Sequence, residues 1–137
     1  MNLSERVNFY MPRAQSKDQA SRGKYNCAES MFRAIVDYYN LDVSEDAKIQ
    51  MAAFGGGLSQ GDACGLLIGG YAALAHIYGG KSAPHSNPQL KEMCTQWYTS
   101  FKEKFGNTNC RHLKPGEGGC SALAIEAAGV FEKIAVK

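Results

Sequence analysis

The chain has 137 residues, 45% of them hydrophobic and 20% charged, which is the makeup of one globular domain with a real core. A net charge of +2 without a basic stripe gives no footprint for nucleic acid. No stretch reaches the roughly 18 uninterrupted apolar residues of a membrane span, and the first six residues hold no apolar signal core, so a cytoplasmic protein without membrane attachment is expected. Thiols in that compartment are reduced, so the five cysteines argue against a static disulfide scaffold.

Hydrophobic spacing is helical almost throughout, and no repeat period emerges. Val7, Tyr10, Met11 and Ala14 share one helical face, which Pro12 interrupts. Residues 1–22 read as an N-terminal helical segment that Gly23 closes, and 23–137 as the cysteine-bearing helical part of the same domain. Asn26 is placed to cap the next helix, with Glu29 reaching back as in a capping box. That helix turns Met31, Ile35 and Tyr38 inward and ends near Asn40. Asp42 with Glu45 is a second candidate box, opening a short helix through Ile49, Met51 and Phe54.

A glycine-rich loop follows, and then residues 63–78 form a helix apolar on nearly every side, hence central. Gly65, Gly69 and Ala73 stand four apart on one face, where another backbone can approach. Gly79 and Gly80 end this helix, and a polar loop with Pro84 and Pro88 leads on. Leu90, Met93, Cys94, Trp97, Tyr98, Phe101 and Phe105 mark the inner face of a long amphipathic helix. The last helix runs over about residues 121–135, with Leu123, Ala127, Val130, Phe131 and Ile134 inside. No segment alternates as a strand, so the expected fold is an all-α bundle of about five or six helices around a buried central one.

Four cysteines share a context. Cys27, Cys64, Cys110 and Cys120 each come at or just after a polar or glycine-containing loop, where a helix or helical turn can begin. A helix N-terminus favours negative charge, so thiols there are expected to have lowered pKa values and to serve as nucleophiles or metal ligands. Their spacing has no C-x-x-C, which leaves a thioredoxin motif or zinc ribbon unsupported. Cys94 is instead a core residue beside Trp97. The loop Gly55-Gly56-Gly57 ahead of Cys64 lacks the lysine and preceding strand of a P-loop. Its glycines, with Gly65, suit a backbone folded tightly around whatever Cys64 touches. Among the histidines, His76 reads as a satisfied core residue, and His85 and His112 as exposed.

These parts resemble a family of redox-active proteins named for the pattern C_GCAxxG_C_C. The resemblance spans roughly residues 13–135 and rests on five pieces, one of them Phe101 to Phe105 with Gly106. The other four are Tyr25-Asn26-Cys27-Ala28-Glu29-Ser30, Phe54-Gly55-Gly56-Gly57 leading to Cys64-Gly65-Leu66-Leu67-Ile68-Gly69, Cys110-Arg111-His112-Leu113, and Cys120 at the head of the last helix. Leu66 stands where the family motif usually has alanine. The resemblance implies that Cys27, Cys64, Cys110 and Cys120 are the functional set, and that an iron–sulfur cluster is one cofactor they could hold.

Three functions then compete. The first is electron transfer through a cluster ligated by the four thiolates. The second is metal-free dithiol chemistry, in which Cys110 and Cys120 pair across the loop between them. The third is a structural zinc site in a helical interaction module. The redox partner is a protein that the sequence does not identify. Tyr10, Tyr38, Tyr39 and Tyr98 fit either the core or the face of a homodimer.

Overall fold

The computed structural model describes residues 2–11, 25–79, 87–113 and 119–134. Ala14, Gly23, His85 and the proline-bearing loop before residue 87 lie outside them. Six α-helices follow in chain order: α1 Leu3–Tyr10, α2 Cys27–Tyr38, α3 Glu45–Ile49, α4 Gly65–Leu74, α5 Pro88–Phe105 and α6 Gly119–Ile134. The fold is all-α, and among the described residues the one extended pairing is an isolated bridge between Ala63 and Asn109.

Helix α4 is the hub. It has no polar face, so it is buried by α2 on one side and by α5 and α6 on others. The small-residue face works as its spacing suggests. A Cβ on Gly69 would stand 2.6 Å from the Ala28 carbonyl oxygen, so α2 and α4 meet backbone to backbone. A Cβ on Gly70 would come within 2.4 Å of Trp97 Nε1 on α5. That indole donates to the Leu67 carbonyl at 2.9 Å and stacks edge-on with Phe101 and Phe131, tying α4, α5 and α6 into one core. Tyr98 on the same helix is 40% exposed.

Helix α1 packs on α2 and α6 through Leu3 and Val7, both fully buried. Its inner face therefore begins one turn earlier than the Val7–Ala14 spacing suggests. Ser4 Oγ donates to the Ile125 carbonyl and Glu132 accepts the Leu3 N–H, which fixes α1 across the last helix.

Both expected capping boxes differ from the observed caps. Asn26 does cap α2, accepting the Glu29 N–H, but the Glu29 side chain turns inward to Arg33 at 2.8 Å. At α3 the cap is Ser44, which accepts the Ala47 N–H, and Glu45 pairs with Arg33 at 2.6 Å. Arg33 is buried, lies 4.3 Å from the Tyr25 ring centroid and draws both carboxylates, so the local capping geometry gives way to a tertiary charge cluster. His76 is the other departure. Helix α4 gives way to a wider turn at Ala75–Gly79, which leaves His76 exposed, its ring tilted against that of Phe32, rather than in the core.

Candidate functional site

Two backbone segments frame the site. Asp62-Ala63-Cys64 runs beside Thr108-Asn109-Cys110, joined by Cys64 N–H to the Thr108 carbonyl at 2.8 Å and Cys110 N–H to the Asp62 carbonyl at 2.6 Å. Two cysteines 46 positions apart are thereby fixed on neighbouring strands of chain. Cys64 caps α4, and Cys110 opens the single turn Cys110–His112.

Cys27, at the first position of α2, reaches the same place because α2 lies flush on α4. A Cβ on Gly65 would come within 2.4 Å of the Cys27 sulfur. Gly57 does the same for Cys110, whose Cβ would lie 2.7 Å from a side chain there. Gly55 makes room for Asn26, which bonds the Ala52 carbonyl and holds the head of α2 against the preceding turn. Cys120, in the first turn of α6, is the exposed member, and its thiol feels the charge of both Cys27 and Cys110. Backbone packing thus brings Cys27, Cys64 and Cys110 to one place, Cys120 is near enough to Cys27 and Cys110 for their charge to raise its thiol, and no disulfide joins the four. Cys94 stands apart, half-buried in α5 beside Tyr71.

The connecting loop has an unusual backbone. Gly56, Gly57, Leu58 and Ser59 have consecutive φ values of +64°, +63°, +62° and +60°, a left-handed turn. Left-handed conformation costs a residue with a Cβ about 1–2 kcal/mol, so Leu58 and Ser59 are strained. The sequence gives no warning of this, because only the glycines of that loop are built for it.

The thiol acidities reverse the expectation drawn from helix ends. Burial pushes the Cys64 thiol up to about 12, against the pull of the Leu66 and Leu67 N–H groups in the first turn of α4. Those groups favour a thiolate without closing a capping hydrogen bond. Cys27 is raised by burial and by neighbouring Cys110, against the pull of the Gly56 and Ala28 N–H groups. Cys120 is raised by desolvation and by Cys27 and Cys110. Desolvation wins because a few partial charges do not replace lost hydration of a full negative charge.

The donor set suits a soft, thiolate-binding group: four sulfurs from four elements, with backbone N–H groups facing two of them. Among the described residues, no three His, Cys, Asp or Glu side chains are grouped tightly enough to hold a metal ion as they stand. Among the described residues the thiols do not form a closed ligand set.

A family model described as "Putative redox-active protein (C_GCAxxG_C_C)" matches residues 25–134. The chain belongs to that family. All four converging cysteines of the C_GCAxxG_C_C member fall inside the matched span, and the α2 cap and the α4 glycine face fall there too. An uncharacterized protein from Archaeoglobus fulgidus is 36% identical over 100 residues, covering 66% of this chain. The chain spans 66% of that relative's length. No solved structure matches this chain. Among the described residues, no helix is long and apolar enough to cross a membrane.

Proposed function

We propose that this family member is an electron carrier whose Cys27, Cys64, Cys110 and Cys120 hold an iron–sulfur cluster. The observation that carries the reading is the convergence of four thiols whose deepest members are poor nucleophiles. Cys64 is 4% exposed and its thiol is pushed up to about 12, so an incoming disulfide could neither reach it nor find it ionised. A buried thiol of that kind gains from a bound cation, which offsets the desolvated negative charge.

When bound, a cluster supplies one-electron transfer at a potential set by its ligands and by hydrogen bonds to sulfur. The chain's own contribution is to exclude water around Cys64, to offer N–H groups of Gly56, Ala28, Leu66 and Leu67 to ligand sulfur, and to leave Cys120 at the surface. A redox partner would approach on the Cys120 side.

Metal-free dithiol chemistry is the second reading, favoured by the exposed Cys120 beside Cys27 and Cys110. There two thiols would give one disulfide, releasing two protons and two electrons to an acceptor disulfide. A structural zinc site is the third.

Protein purified without oxygen distinguishes them by iron, acid-labile sulfide and zinc content with a visible spectrum. Iron with matching sulfide, lost in Cys64→Ser and retained in Cys94→Ser, is the expected result. Full loading of Cys64→Ser overturns the cluster reading. Colourless, metal-free protein with a reducible disulfide selects the second, and one tightly bound zinc without iron the third.

A further inference from the structure

Beside the paired segments that carry Cys64 and Cys110 lies an open polar cavity of about 390 Å³ lined by Gln60, Gly61, Asp62, Asn109, Arg111 and His112, none of them a cysteine. Its size is that of a small-molecule site. Among the described residues, its two opposite charges, Arg111 and Asp62, are in no ion pair. The ion pairs among the described residues join Arg33 to Glu29, Arg33 to Glu45 and Lys48 to Glu45. Arg111 and Asp62 thus line one cavity without pairing with each other or with another charge.

Arg111 is also held in place. Its Nη2 donates to the Gln60 carbonyl at 2.9 Å. Its side chain packs against Gly61, where a Cβ would come within 3.2 Å of Nε. Gly61 has φ +72°, so the loop can turn under the guanidinium only with glycine there. The remaining guanidinium donors are left for a ligand. Asp62 is fixed from behind by two backbone bonds, its N–H to the Gly57 carbonyl and its carbonyl to the Cys110 N–H. Gln60 and Asn109 line the same cavity, and side-chain amides match the hydrogen-bonding groups of a peptide bond.

We propose that this cavity binds a small zwitterion of the amino-acid or short-peptide class, its carboxylate on Arg111 and its ammonium on Asp62. A carboxylate takes two parallel bonds from a guanidinium, and a carboxylate side chain is the complementary seat for an ammonium. The ligand would lie along the Asp62-to-Cys64 and Asn109-to-Cys110 segments, with Asn109 and Arg111 each adjacent in sequence to Cys110 and Asp62 two residues from Cys64. The assignment stands on cavity geometry and charge, and does not depend on what the sulfurs hold.

The test is titration of the full-length, reduced protein with triglycine, followed by amide chemical shifts. Millimolar binding that shifts Gln60, Asp62, Asn109 and Arg111 is the expected result. Arg111→Gln should weaken triglycine by about tenfold and abolish its preference over triglycine amide. Asp62→Asn should weaken triglycine by a similar factor and leave N-acetyl-triglycine unaffected. Both are side-chain changes at the rim, and unchanged circular dichroism identifies folded variants. Absence of shifts with triglycine overturns the proposal. So does N-acetyl-triglycine binding as tightly as triglycine, which would make the cavity a simple anion site. Equal binding by folded Arg111→Gln overturns it as well.

Discussion

Gly65→Ala is the sharpest probe of how the site is assembled. The new methyl would stand 2.4 Å from the Cys27 sulfur, against about 3.5–4.0 Å for comfortable contact between heavy atoms. Turning the thiol away would not clear the space. The Ala28 nitrogen at 3.1 Å and the Phe54 carbonyl oxygen at 3.2 Å are backbone atoms that cannot rotate aside. Overpacking of this kind costs about 1–3 kcal/mol. Alanine recovers up to about 1 kcal/mol through its helix propensity, less at the first position of α4 than mid-helix. The net expectation is a loss of about 1–2 kcal/mol, or about 3–6 °C in Tm for a chain of this size. Urea unfolding of the reduced, metal-free protein measures it, and the rate of Cys27 alkylation reports whether the thiol has been displaced. In a Cys27→Ala background the shortest contact disappears. The double-mutant cycle should then show a coupling of at least about 0.5 kcal/mol. Gly65→Ala with wild-type stability and unchanged Cys27 alkylation would refute the close packing of α2 on α4 at this point.

Stability should fall as pH rises from 9 towards 12, because a thiol whose folded pKa is raised keeps its proton in the native chain after the unfolded chain has lost it. Cys64 alone then contributes up to about 1.4 kcal/mol per pH unit, fully present below pH 9 and lost as pH approaches 12. Cys27, Cys94 and Cys120, also raised, share that sign from pH 9, and Tyr10, Tyr39 and Tyr71 only above 10.0, so Cys64→Ala should reduce the slope between 9 and 10 without abolishing it, and an unchanged slope would count against a buried neutral Cys64. Arg33→Met strands the buried Glu29 carboxylate and should cost about 3–5 kcal/mol by urea unfolding, much of it restored by adding Glu29→Leu; a loss below 1 kcal/mol would mean the cluster contributes little. Leu58→Gly removes left-handed strain at a residue 40% exposed and should stabilise the chain by about 0.5–1 kcal/mol after the added unfolded-state entropy, whereas a loss would show that Leu58 makes contacts worth more than its strain.

The sequence by itself determined the elements that depend on neighbours along the chain. Helical spacing marked out α2, α4, α5 and α6. Asn26 announced its cap, and the four-apart row of Gly65, Gly69 and Ala73 announced a close backbone approach. These are local properties, because a helix's periodicity and capping are settled within a few residues. It also singled out the cysteines by the loops ahead of them, apart from Cys94 within its helix.

Only the tertiary structure decided what those cysteines experience. The helix-end argument foresaw lowered thiol pKa values, yet burial raised Cys27, Cys64 and Cys120, since desolvation depends on everything packed around a sulfur and not on the turn that starts there. The same holds for Glu29 and Glu45, drawn from their expected caps to one buried Arg33, and for His76, exposed where α4 widens. The bridge of Ala63 to Asn109, which brings Cys64 beside Cys110 and sets Asp62 and Arg111 in one cavity, joins positions far apart in the chain. No local pattern encodes such a meeting, because it is fixed by how the helices close on their shared core.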